Sequence, residues 1–383
     1  MIVQRQGHET RSQRCARPMR SAASCGPPTS RGIGRAYVAG EVDLDGDVFE
    51  ILARLRDGVT DGLCLDWRSL PAAITAGRRG LLGRPLPAPP EKSRPRGRRH
   101  SRRRDFAAIS HHYDVGNEFY SLVLGPSMTY SCARFEDEGT TLEAAHASKH
   151  ELVCRKLGLH ERLGMRLLDV GCGWGSMAIH AATHHEASAV GITISQAQAD
   201  LARRRVDEAA DADRVEIRVQ DYRDLSHERF DAISSIGMFE HVGKAQMATY
   251  FETLRALLGP GGRLLNHAIS SCRGSRLGRR SFMHRYVFPD GELLDVGDVA
   301  LAMESAGFEV RDVESLREHY ARTLRAWVAN LEGHWDTAVA QAGPGRARVW
   351  ELYMAASALG FEDGGLGVHQ VLGVAAPSPG LDD

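Results

Sequence analysis

Apolar and polar residues alternate in blocks over residues 106–383, and the blocks predict strands and helices in turn. Seven runs predict strands: "MRLLDVGCGWG", "ASAVGITIS", "RVEIRVQDY", "FDAISSIGMF", "RLLNHAIS", "GFEVRDVES" and "HQVLGVA". Segments with helical spacing lie between several of them, such as "SMAIHAATHH", "QAQADLARRRVDEA" and "QMATYFETLRALL", which is followed by a turn, "GPGG". These units predict an α/β fold with a doubly wound, seven-stranded, mostly parallel sheet. Such sheets bind ligands at the carboxyl ends of their strands.

The pattern changes along the N-terminal part of the chain. Residues 1–34 are polar and aperiodic, which predicts a disordered leader. Residues 35–84 include the helical run "VFEILARL" and predict a small N-terminal region. Residues 85–105 are rich in proline and then in arginine, which predicts a linker before a catalytic domain at 106–383.

Composition narrows the class of protein. The 383 residues are 43% hydrophobic and 25% charged, as in soluble globular proteins, and the formal net charge of −1 gives no reason to expect a nucleic-acid partner. The seven cysteines form no CxxC pair, zinc spacing or CxxxCxxC cluster motif, so we predict reduced thiols, no metal and no radical chemistry. No run approaches the ~20 apolar residues of a membrane span, and no signal peptide is evident.

The segment "LLDVGCGWG", residues 167–175, is the strongest chemical motif. Gly171, Gly173 and Gly175 alternate after a strand that ends near Asp169. Glycines there let the backbone approach a ligand closely. The GxGxG spacing differs from the GxGxxG of dinucleotide folds and resembles the turn of class I S-adenosylmethionine-dependent methyltransferases.

Further motifs make the resemblance specific. They are "HHYDVGNEFYSLVLGPSMTYSCARF", "GITISQAQ", "QDYRDL", "SIGMFEHVG", "LLNHAIS", "YVFPDGELL" and "HYARTLRAW". Together with the glycine turn, and in this order over residues 106 to about 373, they resemble the cyclopropane-fatty-acyl-phospholipid synthase family. The segment "DYRDL" lacks the tryptophan and acid of the mycolic-acid branch and is closer to the bacterial phospholipid-acting branch.

The resemblance implies a reaction and its residues. An unactivated cis double bond of a phospholipid acyl chain takes the methyl group of S-adenosylmethionine, and the resulting carbocation loses a proton to a bound bicarbonate ion as the ring closes. The site must exclude water, which would capture the cation. The implied bicarbonate ligands are Cys132, Ile236, Glu240, His267 and Tyr320. The implied S-adenosylmethionine-binding residues are Tyr130, Ser131, Asp169, Gly171, Gly173, Gly175, Thr193, Gln198, Asp221 and Tyr222.

Thr193 and Gln198 stand where this fold often has an acid for the ribose. Asp221 is expected to accept a hydrogen bond from the adenine amino group, and Tyr222 to pack on the ring. Considered alone, the implied ligands have ordinary interpretations. A glutamate in the position of Glu240 is most often a carboxylate at the start of a helix. A histidine such as His267 is more often a hydrogen-bonded residue of the core. Only their place within matching motifs favours catalysis.

Several alternatives remain open from the sequence. The product is either a cyclopropane or a methylene- or methyl-branched chain, and rival functions are methylation of a soluble acceptor and non-catalytic lipid binding. The resemblance implies a cytoplasmic enzyme, peripheral at the inner membrane face, with a phospholipid surface as partner and a possible homodimer. The run Arg94–Arg104 is either a solvated linker or a contact for anionic headgroups. The N-terminal region is shorter than the family's, which predicts truncation or a wrong start.

Overall fold

Seven strands and twelve helices of four or more residues are assigned in the parts of the chain that the computed structural model describes. Those parts are residues 30–40, 43–60, 91, 104, 116–209, 212–226, 228–272, 278 and 281–376. The strands are β1 (Arg166–Val170), β2 (Ser188–Thr193), β3 (Val215–Val219), β4 (Phe230–Ile236), β5 (Leu258–Ser271), β6 (Phe308–Ser315) and β7 (Leu366–Ala375). The helices are α1 (Ser30–Val38), α2 (Val48–Thr60), α3 (Asn117–Leu124), α4 (Leu142–Leu157), α5 (Ser176–His185), α6 (Gln196–Asp207), α7 (Met247–Leu257), α8 (Phe282–Tyr286), α9 (Val296–Ser305), α10 (Arg317–Gly333), α11 (Trp335–Ala342) and α12 (Pro344–Glu362).

All seven strands form one sheet in the order β3-β2-β1-β4-β5-β7-β6. Strands β1 to β5 pair in parallel, whereas β7 runs antiparallel to β5 and β6. The chain moves outward from β1 to β3 and then returns to β4, so the order reverses between β1 and β4. Ligands of doubly wound sheets bind at this reversal. The structure confirms the predicted fold, and the reversal between β1 and β4 is the place where a ligand is expected.

The first half of β5 differs from the prediction. The sequence predicts a turn at "GPGG" and a strand from Arg263, but β5 begins at Leu258, directly after α7. Phe230 of β4 pairs with Leu258, while Ala232 pairs with Arg263, so the glycines form a bulge inside the strand. Gly261 supports the bulge with a φ of 76°, a conformation that glycine adopts without strain.

The N-terminal helices pack on the rest of the chain. Helices α1 and α2 both contact α12, and the hydroxyl of Tyr37 in α1 donates to the buried carboxylate of Glu351 in α12. Helix α1 starts at Ser30, so the predicted leader at 1–34 overlaps it, and residues 1–29 lie outside the described residues. Most of the predicted linker also lies outside them, and the other boundaries stay predictions.

Helices α10 and α12 form an aromatic layer beside the sheet. Trp327 of α10 and Trp350 of α12 are almost fully buried, and Phe119 of α3 packs edge-on against Trp350 at 5.5 Å between ring centroids. The Tyr130 ring lies 5.3 Å from Trp327. This layer holds the loop around Tyr130 against the carboxyl ends of the strands. No helix in the described ranges is long and apolar enough to cross a membrane.

Candidate active site

One cavity opens at the carboxyl ends of the parallel strands, at the β1/β4 reversal. The predicted residues that line it are Tyr130, Ser131, Cys132, Asp169, Gly171, Gly173, Thr193, Gln198, Asp221, Tyr222, Ile236, Glu240, His267 and Tyr320. Gly175 is not among its lining residues and lies at the N-cap of α5. The structure thus brings together residues from widely separated motifs, although their roles stay predictions.

The glycine turn after β1 uses backbone conformations that other residues rarely adopt. Gly171 and Gly173 have φ values of 77° and 55°. A Cβ on Gly171 would lie 3.0 Å from the Met238 side chain, whereas one on Gly173 would point into open space. The backbone N–H groups of Gly171 and Cys172 both donate to the carbonyl of Ile192 on β2 at 2.9 Å. The turn is therefore anchored to β2 and leaves room at Gly173 for a ligand.

A buried charge pair lies beneath this turn. Burial raises the pKa of Asp169 to about 6, and the Ser234 hydroxyl, which donates to its Oδ1 at 2.7 Å, opposes the rise. Lys149 of α4 is almost completely buried, donates to the Ser131 hydroxyl at 3.1 Å, and has its pKa lowered by burial to about 8. Asp169 Oδ2 is buried without a hydrogen bond within the described residues. The pair gives the floor of the cavity a positive and a negative group.

The ends of β2 and β3 are closed by local hydrogen bonds. The Thr193 hydroxyl donates to the Gln198 amide oxygen at 2.8 Å, and both residues are buried. Both oxygens of Asp221 accept from the Arg223 guanidinium, at 2.8 Å from Nε and 2.6 Å from its terminal nitrogen. The Tyr222 ring packs edge-on against Tyr250 at 5.1 Å. Asp221 is thus shared with a cation that the sequence reasoning did not foresee.

Glu240 lies in a short 3-10 turn after β4. Its Oε1 accepts from the backbone N–H of Ile269 on β5 at 2.7 Å, whereas its Oε2 is buried and has no hydrogen-bond partner within the described part of the chain. Burial raises the pKa of Glu240 to about 7, and the Ile269 N–H opposes the rise. The site therefore holds a carboxyl group that is close to half ionised at neutral pH.

His267 lies on β5 beside Ile236, its partner on β4, and two residues before Ile269. Its Nδ1 lies 3.3 Å from the Gln370 amide nitrogen of β7, and its Nε2 is buried without a partner among the described residues. Burial lowers the pKa of His267 to about 3, so the ring is neutral at neutral pH. With the amide nitrogen donating to Nδ1, the ring carries its proton on Nε2. That proton is available to an anion in the cavity.

Cys132 and Tyr320 also line the cavity that contains Glu240 and His267. The Cys132 thiol is fully buried and donates to the carbonyls of Ala133 at 3.2 Å and Leu316 at 3.6 Å. Burial raises the pKa of this thiol, which keeps it neutral. Tyr320 packs on Phe361, with ring centroids 4.8 Å apart. The Ala133 N–H donates to Thr323 of α10, so the cysteine loop is fixed to the helix that carries Tyr320.

Sequence reasoning missed several lining or supporting residues, among them Arg223, Lys149, Tyr353 and Gln370. The Tyr353 hydroxyl lies 3.0 Å from that of Tyr130, and Gln370 is completely buried. Gln370 lies within the strand run "HQVLGVA", where a polar residue facing the core is a usable signal. Lys149 carries no such signal, because many lysines lie on solvated helix faces.

The fold and the glycine turn define a class I S-adenosylmethionine-dependent methyltransferase. A model of the family described as mycolic acid cyclopropane synthetase matches residues 100–371. The chain is 42% identical to a probable fatty acid methyltransferase of Mycobacterium tuberculosis, over 93% of this chain and 84% of the relative. It is 37% identical to the cyclopropane-fatty-acyl-phospholipid synthase of Escherichia coli K12, over 71% of this chain and 69% of the relative.

A solved structure agrees with these sequence matches. The mycolic acid cyclopropane synthase CmaA1, complexed with SAH and CTAB, aligns with a TM-score of 0.66 and 32% identity, covering 70% of this chain and 98% of that chain. The chain therefore belongs to the mycolic acid cyclopropane synthetase family. The predicted family relationship, which grouped it with the cyclopropane synthases, is confirmed.

Proposed function

We propose that the chain is a cyclopropane-fatty-acyl-phospholipid synthase, which adds one carbon across the cis double bond of an unsaturated phospholipid acyl chain. One observation carries the proposal. Glu240 Oε2 and His267 Nε2 are both buried, both lack a hydrogen-bond partner within the described residues, and both belong to the cavity that the glycine turn borders. Methylation of a soluble acceptor gives no reason for such a pair.

The residues present fit the two groups that the family implies. Gly173 leaves open space at the turn, and Lys149 and Ser131 offer a cation and a hydroxyl to an amino-acid carboxylate. When bound, S-adenosylmethionine supplies an electrophilic methyl group, and bicarbonate supplies a base. His267 would donate from Nε2 to an anionic oxygen, and Glu240 would accept from a hydroxyl. Together they would orient a small anion that carries one proton.

The wall chemistry suits a carbocation. Methyl transfer would form one C–C bond as the S–CH3 bond of the sulfonium breaks, and would leave a positive carbon on the acyl chain. Ring closure would form a second C–C bond as a C–H bond of the new methyl group breaks and its proton passes to the base. Because burial raises the pKa of Cys132, its thiol stays neutral and is a poor nucleophile towards that carbon. The apolar side chains that line the cavity include Ile236, Ile269, Phe288, Leu293 and Val368. These side chains exclude water and match an acyl chain.

Turnover on monounsaturated phospholipid vesicles with labelled S-adenosylmethionine tests the proposal. Glu240→Gln keeps the size of the side chain but removes the ionised acceptor, so we expect most turnover to be lost while cofactor affinity is nearly unchanged. Glu252→Gln, at an exposed carboxylate of α7, is the matched control and should retain full activity. Equal activity in the Glu240 variant and the wild type would remove the assigned role.

A second candidate function is methylation to a methylene- or methyl-branched chain. The relative named a probable fatty acid methyltransferase, 42% identical over 93% of this chain, favours it. Both reactions pass through the same cation and add one carbon. Mass spectrometry of the lipid product before and after mild hydrogenation separates them, because a methylene product takes up hydrogen whereas a cyclopropane survives. A saturated methyl-branched product needs a separate reductant and is already two hydrogens heavier than either.

We also propose that the basic run at 94–104 draws the enzyme to anionic phospholipid surfaces. Within this run the structure describes only Arg104, whose guanidinium makes a two-pronged ion pair with Asp290 at 2.6 and 2.7 Å. The remaining arginines would each contribute ~1 kcal/mol near an anionic surface. Salt should weaken vesicle binding, and replacing the arginines between 94 and 103 by glutamine should remove that salt dependence. Binding that ignores both changes contradicts the proposal.

A further inference from the structure

A second cluster of chemically active side chains lies between α4 and α5, apart from Glu240 and His267. The ligand atoms of Cys154, His180 and His185 all lie within 4.8 Å of one another. Glu151, one turn before Cys154 on α4, approaches both histidines, with its Oε2 at 2.8 Å from His185 Nε2 and 3.7 Å from His180 Nε2. The two helices therefore bring one thiol and two imidazoles together, and the Glu151 carboxylate lies beside the two imidazoles.

The cluster is largely withdrawn from solvent. Cys154 is completely buried, and the His180 and His185 side chains are 11% and 8% exposed. His180 Nε2 is buried and has no hydrogen-bond partner within the described residues. Buried polar nitrogens are almost always paired. The His180 Nε2 faces a thiol, a second imidazole and, at 3.7 Å, the Glu151 carboxylate, without a hydrogen bond to any of them, which points to a missing partner. A bound cation would be that partner.

The ligand types suit a divalent cation. Imidazole nitrogens and carboxylate oxygens bind cations through their lone pairs, and a divalent cation deprotonates a thiol that coordinates it.

We propose that Cys154, His180 and His185, with Glu151, form a binding site for Zn²⁺. Sulfur, imidazole and carboxylate ligands in a set of four are typical of tetrahedral zinc, whereas Mg²⁺ and Ca²⁺ prefer oxygen ligands. Closing the site requires the ligand atoms to approach to about 3.5 Å of one another, given Zn–N and Zn–S bonds of about 2.0 and 2.3 Å. Side-chain rotation on the two helices would have to supply that approach.

The position of the site gives it a structural consequence. Helix α5 begins at Ser176, directly after the glycine turn, and α4 carries Lys149 into the cavity. A metal that joins α4 to α5 would therefore fix the two helices that border the cofactor end of the cavity. The inference does not depend on the lipid reaction.

The test uses the full-length, untagged chain after treatment with a chelator, with Co²⁺ as a spectroscopic probe and Zn²⁺ as competitor. We expect one Co²⁺ per chain, a thiolate-to-cobalt charge-transfer band, displacement by Zn²⁺ and a higher melting temperature with metal. Cys154→Ser should abolish the band, and His180→Gln should weaken binding by about 10-fold or more.

Cys272→Ser is the matched control, because Cys272 is also a free thiol but is not part of the cluster, so the band should persist. Binding of SAH reports whether each variant is folded, and His180→Gln decides the question if the Cys154 variant fails to fold. The proposal is overturned if the wild type binds no stoichiometric Co²⁺. It is equally overturned if the band or the affinity survives substitution of the cluster, as surface adsorption would allow.

Discussion

The polar groups in the two halves of the cavity differ in whether the protein itself satisfies their hydrogen bonds. At the ends of β2 and β3, the Thr193 hydroxyl bonds to Gln198, and the Asp221 carboxylate bonds to Arg223. After β4 and within β5 and β7, Glu240, His267 and Gln370 each have a buried polar atom without a partner within the described residues. We call the half at β2 and β3 the cofactor half, and the half with Glu240, His267 and Gln370 the ring-closure half, after their proposed roles. In the cofactor half most polar groups are hydrogen-bonded within the protein, whereas in the ring-closure half several are not.

This difference indicates where a ligand would have to supply hydrogen bonds. An unpaired buried polar group costs ~1–3 kcal/mol. A bound anion with one proton would recover part of that cost, by accepting from His267 Nε2 and donating to Glu240 Oε2. Asp169 Oδ2 is the exception in the cofactor half, and the charge of Lys149 offsets part of its cost. Substitutions in the two halves should therefore separate turnover from cofactor affinity.

The largest expected effect comes from the ring-closure half. His267→Asn removes the Nε2 donor, and we expect turnover to fall by about 100-fold, as when a preorganised donor is deleted. The affinity for SAH should stay nearly constant, because His267 lies on β5 and not at the glycine turn. Single-turnover rates and calorimetric titration measure the two quantities, with His160→Asn at an exposed position as control. A fall in SAH affinity as large as the fall in rate would erase the distinction between the halves.

The second prediction concerns pH and Glu240. Turnover should rise as pH increases through about 7, because the ionised carboxylate is the acceptor. The free energy of unfolding should fall as pH increases. The pKa in the folded chain, about 7, exceeds the ordinary value of 4.5, so the protonated form is favoured by folding. This contribution is complete below pH 4.5 and is lost as pH rises through 7.

The loss amounts to about 3 kcal/mol of unfolding free energy. Comparison with Glu240→Gln isolates it, because the glutamine variant has no titrating group at this position while His267 titrates in both proteins. Urea unfolding at several pH values measures the difference. Parallel pH profiles in the two proteins would show that Glu240 has no raised pKa.

The sequence predicted most of the fold because β1, β2 and β4 are mostly buried and end at distinctive residues. Each predicted strand exists, and helix α5 has the predicted bounds, Ser176–His185. The glycine bulge at the start of β5 was predicted as a turn, since glycine and proline favour both structures and only pairing with Phe230 distinguishes them. Local pattern thus fixes element type better than element boundaries.

Site residues were predictable where a sequence motif marks the end of a strand. They were not predictable where tertiary packing alone brings a side chain into the site. Lys149 is buried because α4 packs beside Ser131, a contact between residues 18 positions apart that no periodicity reports. Cys154 and His180 come together only when α4 meets α5, which is why their sequence spacing suggests no metal. In both cases the role of the side chain depends on the segment that packs against it.

The third prediction tests Lys149 in the cofactor half. Lys149→Met keeps the length of the side chain but removes the ammonium group that donates to Ser131 and stabilises ionised Asp169. We expect the affinity for S-adenosylmethionine to fall about 10-fold, the value of one charge-assisted hydrogen bond, with turnover at saturation nearly unchanged. Lys244→Met is the control at an exposed lysine of the same protein. Loss of turnover at saturating cofactor would instead place Lys149 in the chemical step.

The smallest effect should come from Asp221, because its partner lies in the protein. Asp221→Asn weakens the ion pair with Arg223 but keeps one oxygen acceptor for the adenine amino group. We expect SAH affinity to fall by about 5-fold, equivalent to about 1 kcal/mol, and turnover at saturation to be retained. Asp207→Asn at the exposed end of α6 serves as the control in the same titration. If SAH affinity is unchanged, Arg223 is the main partner of Asp221 and the adenine is held elsewhere. If turnover falls as far as it does in His267→Asn, the two halves of the cavity are not separable.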